Sequence, residues 1–213
     1  MFLKAFLRNW NIDCVLDVGA NLGQYALELR RIGYRGRIIS FEPDPRVYEQ
    51  LARRSAADPA WDALHVALGS RTGKAEFHTM NVALFNSFRE PSTDETARFA
   101  GANEIAETIE VNVSRLDELL PALKEKFGFK NVFLKMDTQG FDEEVFLGSK
   151  GVHEDIRGLQ SEIGFKRLYQ GTKPWHEQLA VFEQHGFALE GLFAVNPGEG
   201  EIIEFDCYFS ARC

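Results

Sequence analysis

The sequence predicts an α/β protein in which a sheet of seven core strands, parallel except for a closing hairpin, is covered by helices on both faces. Apolar runs of four to six residues, the length of a buried strand, alternate along the chain with amphipathic segments. This alternation is typical of parallel strands joined by crossover helices. At 213 residues the chain has the length at which one hydrophobic core is normal, so we expect a single domain over residues 1–213.

The first part of the chain is predicted to hold three strands separated by two helices, after a short amphipathic helix in the opening segment MFLKAFLRNW. The predicted strands are Cys14–Val18, Arg37–Phe41 and Leu64–Ala67. The predicted helices between them are Tyr25–Ile32 and Pro45–Ser55. A proline suits the first turn of the second helix, because that turn needs no intrahelical N–H.

The middle of the chain breaks the alternation, and the remainder resumes it. Lys74–Thr79 and Thr108–Val113 are predicted as strands with one exposed face, on either side of a polar stretch from Arg89 to Glu107. We interpret these segments as an insertion. The later helices are predicted at Leu116–Phe127, Glu143–Leu147 and Trp175–His185, and the later core strands at Asn131–Met136, Gly158–Ile163, Ala188–Ala194 and Ile202–Ser210.

The composition argues against several function classes. The chain carries 24 Lys and Arg against 32 Asp and Glu, a formal net charge of −8, and nucleic-acid binding depends on clustered Lys and Arg, so we expect no nucleic-acid partner. Its three cysteines lack the spacing of a disulfide framework or a zinc site, which favours the cytoplasm. The apolar run near the N-terminus is too short for a signal peptide, and we expect no membrane span.

The segment VLDVGANLGQYAL, from Val15 to Leu27, carries the strongest chemical signal. Gly19 and Gly23 bracket a tight strand-to-helix turn, where a missing Cβ lets a ligand approach the backbone. Asp17 precedes the turn in the pattern D-x-G-x-x-x-G, whereas a dinucleotide pocket uses G-x-G-x-x-G to hold a pyrophosphate. A carboxylate there suits a cationic ligand or one with an ammonium group. The alternative is a buried Asp17 that caps the loop amides.

A second acid, Glu42, follows the second predicted strand and precedes Pro43 and Asp44. At the carboxyl end of that strand, Glu42 is placed to accept hydrogen bonds from both hydroxyls of a ribose. A role as a helix cap is weaker for Glu42, because Asp44 already lies at the N-cap position. A nucleoside that has an amino-acid tail and no pyrophosphate suits both acids, and S-adenosylmethionine is such a molecule.

Ordered motifs along the chain resemble those of the FkbM-type S-adenosylmethionine-dependent methyltransferases; they read VLDVGANLGQYAL, IISFEPDP, HVALGSRTGKAEF, VSRLDELL, FLKMDTQGFDEEVFLGS, HGFAL and IIEFDCYFSAR. The resemblance extends from about Ile12 to the C-terminus. It implies the class I methyltransferase (Rossmann-like) sheet, with strand order 3-2-1-4-5-7-6 and strand seven antiparallel. It also implies an O-methyltransferase that acts on hydroxyls of sugars, glycans or secondary metabolites.

The same resemblance implies which residues contact the S-adenosylmethionine cofactor: Asp17, Gly19, Asn21, Gly23 and Glu42. To these we add Pro43, which follows Glu42 directly. Ala67 and Leu68 match the position that lines the adenine in this fold. Many methyltransferases have an acid at that position, whereas this sequence has VALG.

The fourth core strand delivers Lys135 and Asp137 to the same side of the sheet's carboxyl edge. Asp137 is a candidate to orient a substrate hydroxyl or take its proton, and Lys135 to stabilise negative charge or lower a nearby pKa. The alternative is a partly buried ion pair that anchors the strand. Glu162, at the end of the fifth core strand, is a second inward-facing acid and a candidate substrate ligand. Family members often carry Glu in the place of Gln139.

Two further features leave alternatives open. Asp137 with Glu162 or Asp142 would suit magnesium or calcium, but Asp142 is better explained as a first-turn acid that complements the helix dipole, so we predict no metal. The segment Val82 to Glu90 falls where a lid over the cofactor would lie, and an ordinary surface loop is the alternative.

The expected partner is a small-molecule or glycan acceptor. Tyr169 and Trp175, beside Lys and Arg after the fifth core strand, suit stacking on a sugar ring or binding an anionic substrate. The same residues also suit covering the sheet edge. Two other functions fit the same fold: methylation of RNA or protein, and nucleoside binding without catalysis. The acidic composition counts against RNA.

Overall fold

The computed structural model describes residues 2–92, 99, 101–195, 200 and 202–212. The helices are α1 Phe2–Asn9, α2 Gln24–Arg31, α3 Pro45–Ser55, α4 Leu116–Phe127, α5 Asp142–Leu147 and α6 Trp175–Gln184. The strands are β1 Cys14–Val18, β2 Arg37–Phe41, β3 Trp61–Leu64, β4 Ala67–Leu68, β5 Gly73–Met80, β6 Ile105–Ser114, β7 Val132–Met136, β8 Ile156–Gly164, β9 Phe187–Val195 and β10 Glu204–Ala211. No helix within these ranges is long and apolar enough to cross a membrane.

Seven strands form one sheet in the order β3-β2-β1-β7-β8-β10-β9. Parallel pairing joins β3 to β2, β2 to β1, β1 to β7 and β7 to β8. The strand β10 is antiparallel to both of its neighbours, β8 and β9. Numbered along the chain within this sheet, the order is 3-2-1-4-5-7-6 with strand seven antiparallel. The topology implied by the resemblance is therefore confirmed.

Helices cover both faces of this sheet, as predicted. One face packs against α1, α2 and α3 through a core that includes Phe6, Leu29 and Leu51. The other face packs against α4, α5 and α6 through a core that includes Leu120, Phe146 and Phe182. Successive residues of β1 alternate between the two cores, because successive side chains of a strand point to opposite faces.

The predicted third strand, Leu64–Ala67, is wrong in its bounds. The third strand of the main sheet, β3, ends at Leu64, whereas Ala67 and Leu68 form β4 in a separate three-stranded sheet of order β4-β6-β5. Ala67 is there the register partner of Val113 in β6. The chain changes sheets within one apolar run, and hydrophobicity alone does not reveal such a change.

The second sheet contains both strands that were predicted beside the polar stretch. The predicted Lys74–Thr79 lies within β5 and Thr108–Val113 within β6, and the two strands pair antiparallel. Some of the predicted polar stretch, residues 93–98 and 100, lies outside the described residues. The same holds for residues 196–199 and 201 in the turn between β9 and β10.

The bounds of α3 and α4 agree with those predicted, because local signals define the start of one helix and the end of the other. Asp44 caps α3: its carboxylate accepts a hydrogen bond of 2.9 Å from the N–H of Arg46, and Pro45 occupies the first turn. Gly128 ends α4 in the left-handed conformation, at φ 77°.

Candidate functional site

Two adjoining cavities open at the carboxyl ends of the parallel strands. The first has a volume of about 310 Å³ and the second a volume of about 590 Å³. The residues that line the first cavity include Gly19, Asn21, Glu42, Pro43, Ala67, Leu68, Asp137 and Glu162. Each of these eight is a site residue predicted from the sequence, and the fold brings them together around one space.

In the turn after β1, the backbone at Gly19 packs so closely against the end of β7 that no side chain fits there. Gly19 lies in the left-handed region at φ 73°, and a Cβ atom there would overlap the carbonyl oxygen of Asp137. Asn21 is also left-handed, at φ 46°, which Asn tolerates better than most residues. Its side-chain amide donates to the carbonyl oxygen of Ala83 at 3.1 Å. Gly19 and Asn21 both line the first cavity, so the turn borders this space and is tied to the segment that covers it.

Glu42 lies at the end of β2, buried in the wall of the first cavity. Its two carboxylate oxygens accept hydrogen bonds from the N–H of Asn21 at 2.8 Å and the N–H of Asp44 at 2.9 Å. Burial raises the pKa of Glu42 to about 7, against the lowering effect of these two bonds. Each carboxylate oxygen has a second lone pair, so Glu42 keeps the capacity to accept bonds from two hydroxyls.

Two predicted cofactor residues, Asp17 and Gly23, do not line either cavity. Asp17 is fully buried, and the side chain nearest its carboxylate, Lys135, lines the second cavity. Gly23 lies at φ 82° at the start of α2, where a Cβ would overlap the ring of Trp61. The structure thus gives Gly23 a packing role and separates Asp17 from both cavities.

Asp17 and Lys135 form a buried ion pair. The sheet register places Asp17 between Ser40 on β2 and Lys135 on β7. Lys135 Nζ lies 3.1 Å from Asp17 Oδ1 and 3.4 Å from Asp137 Oδ2. Burial by itself lowers the pKa of Lys135, but the two carboxylates outweigh burial and raise it, so the ammonium stays charged. The strand-anchoring ion pair weighed as an alternative is therefore present, with Asp17 as the closer partner.

The row of polar side chains continues across the sheet. Lys135 is the register partner of Gln160 on β8. The hydroxyl of Tyr25, from α2, donates to Gln160 Oε1 at 2.6 Å, and Gln160 Nε2 donates to Asp206 Oδ1 at 2.9 Å. The Lys135 ammonium also lies 5.2 Å from the centre of the Tyr25 ring, within the range of a cation–π contact. A connected polar network thus crosses the central strands on the face covered by α1–α3.

Asp137 and Glu162 form a pair of carboxyl groups bridged by Gln139. Gln139 Nε2 donates to Asp137 Oδ1 at 2.9 Å and to Glu162 Oε2 at 3.0 Å. The hydroxyl of Tyr169 donates to Gln139 Oε1 at 2.7 Å and holds the bridge in place. Burial, with the charges of Asp137 and Glu204 beside it, raises the pKa of Glu162 well above its usual range. Glu162 therefore favours its protonated form, beside the more exposed carboxylate of Asp137.

Both carboxylate oxygens of Asp142 accept hydrogen bonds from other groups of the protein, which makes Asp142 a poor candidate for a metal ligand. One of its oxygens accepts a hydrogen bond of 2.8 Å from the N–H of Thr138, and the other accepts one of 2.7 Å from the Ser161 hydroxyl. It lies in the first turn of α5, as predicted. Among the residues that the structure describes, no group of three or more His, Cys, Asp or Glu is arranged to hold a metal ion.

Part of the predicted lid covers the first cavity. Leu84 and Phe85, with Asn86, line it. Asn86 Nδ2 donates to Asp44 Oδ2 at 3.1 Å, and Ser87 Oγ donates to the carbonyl oxygen of Gln139 at 2.7 Å. These bonds attach the segment to the ends of β2 and β7. The side chain of Leu84 is mainly exposed and lines both cavities, so it lies at their boundary.

The second cavity lies between the N-terminal part of the chain and the polar network. Its walls include Phe2 from α1, Tyr25 and Glu28 from α2, Lys135, Gln160, Phe193, Asp206 and Tyr208. Five residues line both cavities: Gly19, Asn21, Leu84, Asp137 and Glu162. A group bound in either cavity would therefore have access to the same pair of carboxyl groups.

Three residues of this site, Tyr25, Gln160 and Asp206, have no role predicted from the sequence. Gln160 and Asp206 stand within buried strand segments, LQSEIGF and IIEFDCYF, in which polar and apolar residues are mixed. A polar residue at a core position of a strand needs a partner, and this is the signal that identifies such positions. Tyr25 carries no comparable signal, because an amphipathic helix accommodates a tyrosine without any site.

The residues of the first cavity fit S-adenosylmethionine. Acidic residues line it, and within the described ranges no Lys or Arg does. The resulting negative charge suits a sulfonium and an ammonium group. Ala67, Leu68 and Phe88 give it an apolar part that suits an adenine ring. Gly19 lines the cavity at a point where the backbone of Asp137 leaves no room for a Cβ. Together with Glu42 for the ribose, these features supply what each part of the cofactor needs.

The ligand-free protein is expected to lose stability as the pH rises from about 4.5 to about 7. Burial raises the pKa of Glu42 and of Glu204 to about 7. An acid whose folded pKa lies above its unfolded value stabilises the fold below the unfolded pKa, and this contribution is lost as pH rises through the folded pKa. We expect the midpoint of thermal unfolding to be lower at about pH 8 than at about pH 5.

Two variants test this expectation. Glu204→Gln should flatten the pH profile and raise the unfolding free energy by roughly 1–2 kcal/mol at about pH 8. Glu110→Gln, at an exposed carboxylate that pairs with Lys74, is the matched control and should leave the profile unchanged. A wild-type midpoint that is constant or that rises over this interval would contradict the expectation.

The sequence of this chain matches the family described as Methyltransferase FkbM domain over residues 17–195. It is 30% identical over 204 residues to methyltransferase sdnD from Sordaria araneosa, an alignment that covers 82% of this chain and 73% of the relative. It is 27% identical over 172 residues to 2-O-methyltransferase NoeI from Sinorhizobium fredii, which covers 75% of this chain and 67% of the relative.

Solved structures share the fold. The magnesium protoporphyrin IX methyltransferase from Synechocystis PCC 6803, with bound SAM, superposes with a TM-score of 0.55 at 10% identity, covering 100% of this chain and 77% of that one. Aeropyrum pernix fibrillarin, with natively bound S-adenosyl-L-methionine, gives a TM-score of 0.51 at 13% identity, covering 92% and 64%. At these identities the likeness concerns the fold alone.

Proposed function

Because the chain belongs to the FkbM family of S-adenosylmethionine-dependent methyltransferases, we propose that it methylates a hydroxyl group of a sugar, a glycan or a secondary metabolite. The observation that carries the choice of a hydroxyl is the position of Asp137. Its carboxylate lines both cavities and is partly open to solvent. A carboxylate in that place suits the removal of a proton from a hydroxyl. The name of the Sinorhizobium fredii relative, a 2-O-methyltransferase, supports the same choice.

In this proposal, three residues hold the cofactor in the first cavity. Glu42 accepts hydrogen bonds from the ribose hydroxyls, the backbone at Gly19 passes close to the amino-acid tail, and Asn21 keeps the turn attached to the covering segment. When bound, S-adenosylmethionine supplies an electrophilic methyl group on a sulfonium, an activated leaving group. The residues of the chain then have two tasks, which are to align the acceptor hydroxyl with the methyl group and to remove one proton.

Asp137 orients the acceptor hydroxyl and takes its proton. Lys135, at 3.4 Å, lies beside the Asp137 carboxylate, and Gln139 restrains one of its oxygens. The raised pKa of Glu162 favours a neutral acid beside Asp137, which avoids a second negative charge at the same point. Asp17 acts through Lys135, as a positioning residue that lines neither cavity.

The experiment that tests cofactor binding is isothermal titration with S-adenosylmethionine and S-adenosylhomocysteine. Glu42→Ala should weaken binding by at least roughly 10-fold, because each hydrogen bond to a charged acceptor contributes about 1.5–3 kcal/mol and the ribose would lose its acceptor. Glu110→Ala, at an exposed carboxylate, is the control. No binding by the wild type, or unchanged binding by Glu42→Ala, would overturn this assignment.

The acceptor is tested with S-adenosylmethionine that carries a labelled methyl group. Label should enter hydroxyl-bearing glycosides or secondary metabolites in preference to RNA or protein. Preferential labelling of RNA or protein would replace the proposed acceptor class. Tight cofactor binding without transfer to any acceptor of a broad panel would favour a nucleoside-binding protein without catalysis.

A cytoplasmic location stays a prediction from the cysteine content.

A further inference from the structure

We propose that the second cavity is the acceptor site, and that it takes a neutral or positively charged polyhydroxylated ring and rejects anionic ones. This inference rests on the proposed function and makes its acceptor more specific. Four observations support it: the residues that line both cavities, the charge of the second cavity, the hydrogen-bond acceptors on its wall, and its exposed aromatic ring.

The shared wall places the second cavity next to the reacting groups. Gly19, Asp137 and Glu162 line both spaces. With the cofactor in the first cavity, an acceptor in the second would present a hydroxyl to Asp137 where the two spaces adjoin. At about 590 Å³ the second cavity has room for a sugar ring and part of an attached group.

The charge of the second cavity is negative. Lys135 is the one cation among the described residues that line it, and its ammonium is already paired with Asp17 and lies close to Asp137. Glu28, at the outer part, is paired with Arg31. Asp206 is left without a cationic partner in the described chain. A phosphate or carboxylate on the acceptor would meet these carboxylates in a partly buried space, where like charges repel strongly.

The polar network orients a hydrogen-bond acceptor, the Asp206 carboxylate, on the wall of the second cavity. Tyr25 donates to Gln160, and Gln160 donates to one oxygen of Asp206. These two hydrogen bonds fix the orientation of the Asp206 carboxylate. The second oxygen of Asp206 is available to accept from a hydroxyl or an ammonium group. A ring with several hydroxyls could satisfy this oxygen and Asp137 at once.

An aromatic wall forms one side of the second cavity. The Phe193 ring packs against Phe2, with ring centres 5.0 Å apart, and against Tyr208 at 5.7 Å. Phe193 is nevertheless 43% exposed. An exposed aromatic ring beside carboxylates suits a ligand that has an apolar face and a polar edge, as a sugar ring has.

The test uses saturation-transfer NMR on the full chain with S-adenosylhomocysteine present, so that no turnover is needed. The probes are a panel of neutral methyl glycosides, the corresponding amino sugars, and their phosphate esters. We expect saturation transfer to members of the first two groups and none to the phosphate esters. Phe193→Ala should weaken binding of the accepted probes roughly 3- to 10-fold, the effect of losing one aromatic contact.

Two further variants sharpen the test. Asp206→Asn removes one negative charge and keeps the shape, so it should narrow the preference for uncharged over phosphorylated probes by roughly 10-fold. Leu192→Ala, beside Phe193 in β9 and similarly exposed but outside the cavity, should leave probe binding unchanged. The affinity for S-adenosylhomocysteine should stay within about twofold in all three variants.

The outcomes separate the inference from the function on which it rests. Binding of no neutral or amino probe, equal binding of the phosphate esters, or an unchanged affinity in Phe193→Ala would overturn the inference. Methylation of a hydroxyl by a protein that gives one of these results would leave the proposed function standing. Probe binding as expected, with labelled methyl found only in RNA or protein, would instead overturn the proposed function.

Discussion

Replacing Lys135 with Met is expected to lower the free energy of unfolding by about 3–5 kcal/mol, the usual cost of leaving a buried charge without its partner. Asp17 is fully buried, and its Oδ1 has no hydrogen bond of good geometry in the described chain. The nearest opposite charge to this oxygen is the Lys135 ammonium at 3.1 Å. Removal of the ammonium would leave the buried Asp17 carboxyl without its cationic partner. The measurement is urea unfolding followed by circular dichroism.

A double variant provides the control. Asp17→Asn combined with Lys135→Met removes both charges, so it should recover at least about half of the lost free energy. Lys74→Met, at an exposed lysine that pairs with Glu110, should change stability by less than about 1 kcal/mol. If Lys135→Met proved as stable as the wild type, the ion pair would not anchor β7.

Replacing Asp137 with Asn is expected to lower kcat roughly 10²- to 10³-fold, the usual contribution of one general base. The amide keeps the shape of the carboxylate but does not take a proton from a hydroxyl. Because Lys135 keeps Asp17 as its closer partner, the fold should persist. The measurements are the transfer rate at saturating cofactor and the dissociation constant of S-adenosylhomocysteine, which should change by less than about threefold.

Glu162→Gln serves as the matched comparison. Glu162 favours its protonated form, since burial raises its pKa, and a protonated carboxyl resembles an amide in shape and charge. We therefore expect Glu162→Gln to retain kcat within roughly fivefold. Equal losses in both variants would show that the two carboxyl groups act as one unit, and full activity in Asp137→Asn would remove Asp137 from the proposed mechanism.

Much of the fold was predictable because its signals are local. Asp44 and Pro45 define the start of α3, and Gly128 defines the end of α4. The third strand was not predictable to the residue, since Leu64 and Ala67 share one apolar run but belong to different sheets. Which strand a segment pairs with depends on residues far along the chain, here β6 for Ala67. The assignment of residues 1–213 to a single domain stays a prediction from chain length.

The sequence by itself determined the chemical character of the site. The spacing of Asp17, Gly19 and Glu42 indicates a nucleoside with a cationic tail, since turn geometry and charge are properties of short segments. Only the tertiary structure decided which of these groups meets the ligand space. The register of β1 between β2 and β7 buries Asp17 against Lys135, and it leaves Gly19 and Glu42 on the cavity wall. The second cavity also depends on tertiary contacts, because its walls come from parts of the chain that meet only when the sheet has formed.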